Sequence, residues 1–112
     1  NRPEFFRALL CKENRPTAIV PHTPSLAYPL VRAATELRLK VPDDLSVACC
    51  AAIDDWNLGG WSLTHMRTPD IAVGELACKM LMQKIANPGK ALPSISVRYK
   101  FVQGETTSEL KQ

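Results

Sequence analysis

Two short stretches decide the architecture: Thr17-Ala18-Ile19-Val20, and Leu45-Ser46-Val47-Ala48-Cys49-Cys50. Both read as buried strands that are largely apolar rather than alternating, the pattern of a parallel sheet with covered faces. Between them Leu26, Leu30, Val31, Ala34 and Leu37 recur at helical spacing on one face,. Thr23 stands at the N-cap position of that helix, with Pro24 as its first residue. Pro29 leaves two readings open, because an interior proline removes a backbone hydrogen bond. Either the helix kinks there, or it begins near Tyr28 with Pro29 in its first turn.

Working outward, Pro3 and the i, i+4 pairs Phe5/Leu9 and Phe6/Leu10 predict a first helix, stopped by Asn14-Arg15-Pro16,. Downstream, Ala51 to Trp61 is irregular, and Leu63-Thr64-His65-Met66 is a short extended stretch. Thr68-Pro69-Asp70 opens a long helix with an acid in its first turn. Its apolar stripe runs from Val73 to Ile85, and Asn87-Pro88-Gly89 ends it. Ile95, Val97, Tyr99 and Phe101 alternate with polar residues and predict a half-buried final strand. Gly104 to Gln112 reads as a polar tail. Strands alternating with helices specify an α/β fold with a largely parallel sheet and right-handed crossovers.

Composition agrees with one ordinary globular unit: 112 residues, 46% hydrophobic, 22% charged, net charge +3,. No stretch approaches the roughly 20 apolar residues of a membrane span. The basic residues are scattered among acids, not gathered into the patch of a nucleic-acid footprint. Cys11, Cys49, Cys50 and Cys78 lack C-x-x-C spacing and a matching histidine pair, which argues against zinc,. They read as reduced core thiols of a cytoplasmic protein. No G-x-S-x-G, phosphate-binding loop or H-E-x-x-H occurs, so no enzyme, cofactor or metal is expected. Asn1-Arg2-Pro3-Glu4 does not read as a signal peptide, and the absent initiator Met points to a longer parent chain.

In open parallel sheets ligands bind beyond the carboxyl ends of the strands. Here that places Pro21-His22-Thr23 and Ala51-Ala52-Ile53-Asp54-Asp55-Trp56 at the site.

Several motifs carry a resemblance. Pro16 to Val20, with Ala33-Ala34-Thr35-Glu36-Leu37-Arg38-Leu39-Lys40-Val41-Pro42-Asp43-Asp44-Leu45-Ser46-Val47, resembles the effector-binding core of the LacI/GalR bacterial transcription regulators. Leu63-Thr64-His65-Met66-Arg67-Thr68-Pro69 resembles that family's segment leading into a long helix, and Gly104-Glu105-Thr106-Thr107-Ser108 its C-terminal end. The resemblance covers nearly the whole chain, and Val41 to Val47 is its most specific part.

It implies a periplasmic-binding-protein-like (type I) domain, an α/β doubly wound parallel sheet, incomplete and mostly second lobe. Residues 1–66 would supply second-lobe strands and helices, 67–90 a helix crossing to the first lobe, and 91–112 the last strand and tail. A small carbohydrate-like effector held between lobes, a homodimer, and operator DNA contacted only through a headpiece absent from this chain are further implications. The family's Ala-Asn-Asp is replaced here by His22-Thr23-Pro24. Its Gly-Phe/Tyr-Asp-Asp falls on Cys49-Cys50-Ala51-Ala52 in the ungapped register, or a shift of the loop brings Asp54-Asp55 into place; both registers stay open.

The candidate effector contacts are therefore His22, Thr23, Asp54, Asp55 and Trp56. His22 can donate to a ligand hydroxyl or be a plain turn histidine. Asp54 and Asp55 can accept from sugar hydroxyls as charge-assisted partners, or be ordinary loop acids. Trp56 or Trp61 can stack on a sugar face or pack at a subunit contact. Arg67 reads as a surface salt-bridge residue near the cleft. The alternative class is a periplasmic solute-binding protein of a sugar transporter, which shares the fold.

Overall fold

In the computed structural model, which describes residues 2–52, 57–58 and 60–110, the helical spacing of residues 26–37 becomes α2 (Pro24–Glu36). The helix begins at Pro24 and runs through Pro29, so the later start near Tyr28 is excluded. Thr23 has the extended backbone of an N-cap and its carbonyl accepts from Leu26 and Ala27. Its hydroxyl caps no backbone amide but shares a 2.8 Å hydrogen bond with Ser25. The other end closes in a Schellman turn: Leu39 N–H donates to Ala34 and Arg38 N–H to Thr35,. Arg38 takes φ 59°, a conformation usually left to glycine,.

α1 (Arg2–Leu10) precedes it and packs against α2 through Phe6 and Leu10. The remaining elements are β1 (Ala18–Ile19), β2 (Ser46–Ala52), β3 (Asn57–Leu58), β4 (Trp61–Ser62), β5 (Thr64–Arg67), α3 (Asp70–Ala86) and β6 (Lys100–Val102). The sheet order is β1-β2-β5-β6. β1, β2 and β5 run parallel and β6 is antiparallel to β5, so the sheet is mainly parallel, as expected of an α/β fold. β3 and β4 form a separate antiparallel pair within the segment read as irregular.

One core joins α1 and α2 to the sheet. Leu30 and Leu45 are fully buried, with Val47, Cys49 and Leu63 beside them. Each such leucine contributes about 2 kcal/mol of burial.

Four expectations need correction. Thr17 to Val20 is not a buried strand: β1 is an edge, Ala18 is exposed and Val20 is 60% exposed, because no further strand covers it. Only Cys49 is a core thiol, while Cys11, Cys50 and Cys78 are exposed. The final strand shrinks to β6, with Ile95, Tyr99 and Phe101 all exposed, since alternation stabilises a strand only where a layer covers its apolar face,. Finally, the polar tail is not loose. Thr106 is fully buried, its hydroxyl donating to Val47 O (2.6 Å) and accepting from Thr64 N–H (2.9 Å). It is wedged between the beginnings of β2 and β5.

The stripe of α3 has no partner within the described residues, and none of its residues is buried. The molecule is accordingly elongated, 60 Å along its major axis. Its radius of gyration is 19.0 Å, against about 13 Å for a compact chain of similar length.

Candidate functional site

The carboxyl ends of β1, β2 and β5 meet at one edge of the sheet. Beyond β1 the backbone continues its pairing: Cys50 N–H donates to Pro21 O and Ala51 N–H to His22 O, both at 3.1 Å. The Cys49 thiol also donates to His22 O at 3.4 Å. On the other side, Thr68 donates to Ala52 O twice, from its N–H (2.9 Å) and its hydroxyl (3.3 Å). A single continuous rim results, running from His22 through Ala51-Ala52 to Arg67-Thr68.

Along this rim the backbone groups are paired, while the side chains of His22 and Cys50 face outward. His22 and Cys50 are exposed and Thr23 is half-buried. Ala51 is half-buried and Ala52 buried, so neither adds a polar side chain to the rim. Cys49, one residue from Cys50, is buried, and burial pushes its thiol pKa up, with a smaller opposing effect from the backbone of Ala51. The rim therefore has one inert thiol beneath it and one accessible thiol upon it.

Of the residues expected at the site, the structure brings His22 and Thr23 together with the end of β2. Asp54, Asp55 and Trp56 lie outside the described residues. Trp61 falls on β4 and is 37% exposed. Among the described residues no group of His, Cys, Asp and Glu is arranged to hold a metal, and no helix is long and apolar enough to cross a membrane.

Sequence reasoning missed a second concavity, about 600 Å³, bordered by β5 and β6. It is lined by His65, Arg67, Lys100 and Phe101, among others. Arg67 and Lys100 face each other across the strand pair. The signal was present as a basic residue in each strand, but only the antiparallel register joins them.

With this geometry in hand, comparison places the chain. Residues 3–107 match the family described as periplasmic binding protein-like domain. The HTH-type transcriptional repressor PurR of Klebsiella pneumoniae (strain 342) is 28% identical over 104 residues, 93% of this chain and 30% of the repressor. A LacI family transcriptional regulator from Bifidobacterium animalis subsp. lactis superposes with a TM-score of 0.81 at 23% identity, over 95% of this chain and 39% of its own. Another from Enterococcus faecium, solved with bound ribose, gives 0.78 at 22% identity, over 98% and 40%. These relatives are transcriptional regulators, not enzymes, and this chain spans well under half of their length. The chain belongs to the periplasmic binding protein-like domain family.

Proposed function

We propose that this chain is part of the effector-sensing and dimerisation module of a bacterial LacI/GalR-type repressor, binding a small carbohydrate-like metabolite between two lobes. The observation that carries the reading is the continuous rim at the carboxyl edge, where Cys50 and Ala51 donate to Pro21 and His22. It forms one wall of a crevice in the place where open parallel sheets hold ligands. The ribose in the Enterococcus faecium regulator supports the ligand class.

On this reading His22 and Thr23 contact the effector from one loop, and Asp54, Asp55 and Trp56 from the next. The unpartnered stripe of α3, with Ile71 80% and Met82 71% exposed, packs against a first lobe. An effector that prefers one lobe arrangement shifts the regulator's DNA-binding state by its difference in affinity, and by nothing else. The protein acts as a cytoplasmic homodimer and touches operator DNA through a separate headpiece.

The test is a thermal-shift and calorimetric titration of the full-length protein with ribose and a panel of other sugars. A saturable rise in melting temperature with one of them, lost in His22→Ala, is expected. Failure of every sugar to bind, or binding unchanged by His22→Ala together with Asp54→Asn, overturns the assignment. A signal peptide upstream of Asn1 in the gene would instead make the protein a transporter's solute-binding component.

A further inference from the structure

β1 ends the sheet, pairing with β2 alone among the described strands. On the β2 side, Ser46 N–H donates to Thr17 O and Cys50 N–H to Pro21 O. Alternate residues of an extended chain direct their backbone groups to opposite sides, so those of Ala18 and Val20 face the open edge. Such a row is a template for another strand. An apolar hollow of about 440 Å³ lies beside it, lined by Phe5 and Phe6 of α1, Ile19, Pro21 and Leu26 of α2, with Arg2. Phe5 is 64% exposed, and Val20, which alternates to the other face of the sheet, is 60% exposed. Both faces at this edge are therefore apolar and uncovered, the setting of a strand buried on two sides.

Handedness says which occupant fits. α1 and α2 share one core, Phe6 and Leu10 lying with Leu30 and Ala34, so both helices cover the same face of the sheet. α2 links β1 to its parallel neighbour β2, and such crossovers are right-handed. α1 begins at the carboxyl edge, where Arg2 and Phe5 meet Pro21, and leads to the start of β1, as a returning crossover helix does. With the same hand on the same face, the strand from which α1 returns must lie on the side of β1 away from β2. That side is the open edge. We propose that a parallel strand from the region of the full-length regulator preceding α1 pairs with Ala18 and Val20 there, one of its apolar side chains filling the hollow. The inference rests on the reading that this chain, 30% of the length of the PurR repressor it matches, is part of a longer regulator. It does not depend on which effector binds. The loop after that strand then stands beside Pro21-His22 and borders the crevice from beyond β1.

The test is residue-resolved hydrogen–deuterium exchange on the full-length protein without any sugar, with the buried Val47 amide as the internal standard. Ala18 and Val20 amides are expected to exchange at least about a hundredfold slower than unstructured amides. Val20→Pro deletes one of these donors, which an open edge tolerates. It should melt about 5 °C or more below Val20→Thr, which keeps the donor. Fast exchange at Ala18 and Val20 while Val47 stays slow overturns the proposal. So does slow exchange with Val20→Pro as stable as Val20→Thr, which would mean cover without pairing. Protection lost on dilution to monomers would put a second copy's edge there and overturn it too. A regulator that binds no sugar yet protects both amides would fail the effector assignment and uphold this one.

Discussion

The two edges of the sheet are built in opposite ways. At the amino edge, polar groups are satisfied within the molecule. Thr106 ties Val47 to Thr64, Val47 N–H donates back to Thr106 O at 2.8 Å, and Ser108 N–H donates to Ser46 Oγ. Glu105 completes the closure, its carboxylate accepting from Ser62 N–H at 3.1 Å. At the carboxyl edge the backbone is paired but His22 and Cys50 offer their side chains outward. Buried polar groups cost free energy unless paired, so an edge whose capacity is filled internally can serve only stability. An edge that leaves capacity open is free for recognition, and its residues should change with little penalty to the fold.

Substitutions that break this contrast come first at the amino edge. Gly104 lies against the chain entering β5: a β-carbon there would sit 2.6 Å from Leu63 C and Thr64 N, and closer still to Ser62 O. Backbone cannot yield as a side chain does. Gly104→Ala is therefore expected to cost about 3 kcal/mol, at the upper end of overpacking penalties, measured by urea unfolding. Thr106→Val keeps the shape but deletes the hydroxyl, leaving Thr64 N–H and Val47 O buried without it. A loss of about 2 kcal/mol is expected. A loss below about 0.5 kcal/mol would place this site with ordinary surface positions and remove the contrast.

How much of this was legible in the sequence depends on range. The helical spacing around Leu30 and the apolar character of Ser46 to Ala52 are local, and both elements formed. The rim could be placed because strand direction and loop position follow from the alternation of strands and helices. Thr106 could not, since its partners lie 42 and 59 residues away and its neighbourhood is merely polar. The alternation from Ile95 to Phe101 misled for the converse reason: periodicity reports a strand's intended environment, and that layer is absent from the described residues. Arg67 and Lys100 become neighbours only through register, which no local pattern specifies.

The next prediction sharpens the amino edge, where α2 ends. Arg38 holds a left-handed backbone that costs an L-residue about 1 kcal/mol,. Arg38→Gly should stabilise the protein by roughly that amount, read as a higher denaturation midpoint with an unchanged slope. At the carboxyl edge the expectation is near silence. Cys50→Ser should alter stability by less than about 0.5 kcal/mol, as an exposed substitution does. Thiol titration of the native protein should find Cys11, Cys50 and Cys78 fast and Cys49 slow, its thiolate disfavoured by burial,. A Cys49 as fast as Cys50 would mean that the floor beneath His22 opens to solvent.

The smallest effect is electrostatic and has a definite sign. Glu36 ends α2, where a negative charge meets the negative pole of the helix dipole. It is retained by Arg7 of α1, which donates to it at 2.7 Å, and by Arg32 one turn back, at 3.2 Å. The hydrogen bond from Arg7 is the largest of the influences holding its carboxyl below the ordinary carboxylate range, against an opposing desolvation. A carboxyl with a lowered folded-state pKa stabilises the fold at pH values above its unfolded pKa. That contribution disappears as pH falls through the lowered folded value. The melting temperatures of the unaltered protein and of Glu36→Gln should therefore differ by a constant amount near neutrality and converge below about pH 4. Added salt should shrink the gap, because the groups are exposed. A gap that widens in acid would mean that the carboxyl is held neutral, and that α1 is fastened to α2 by Phe6 and Leu10 alone.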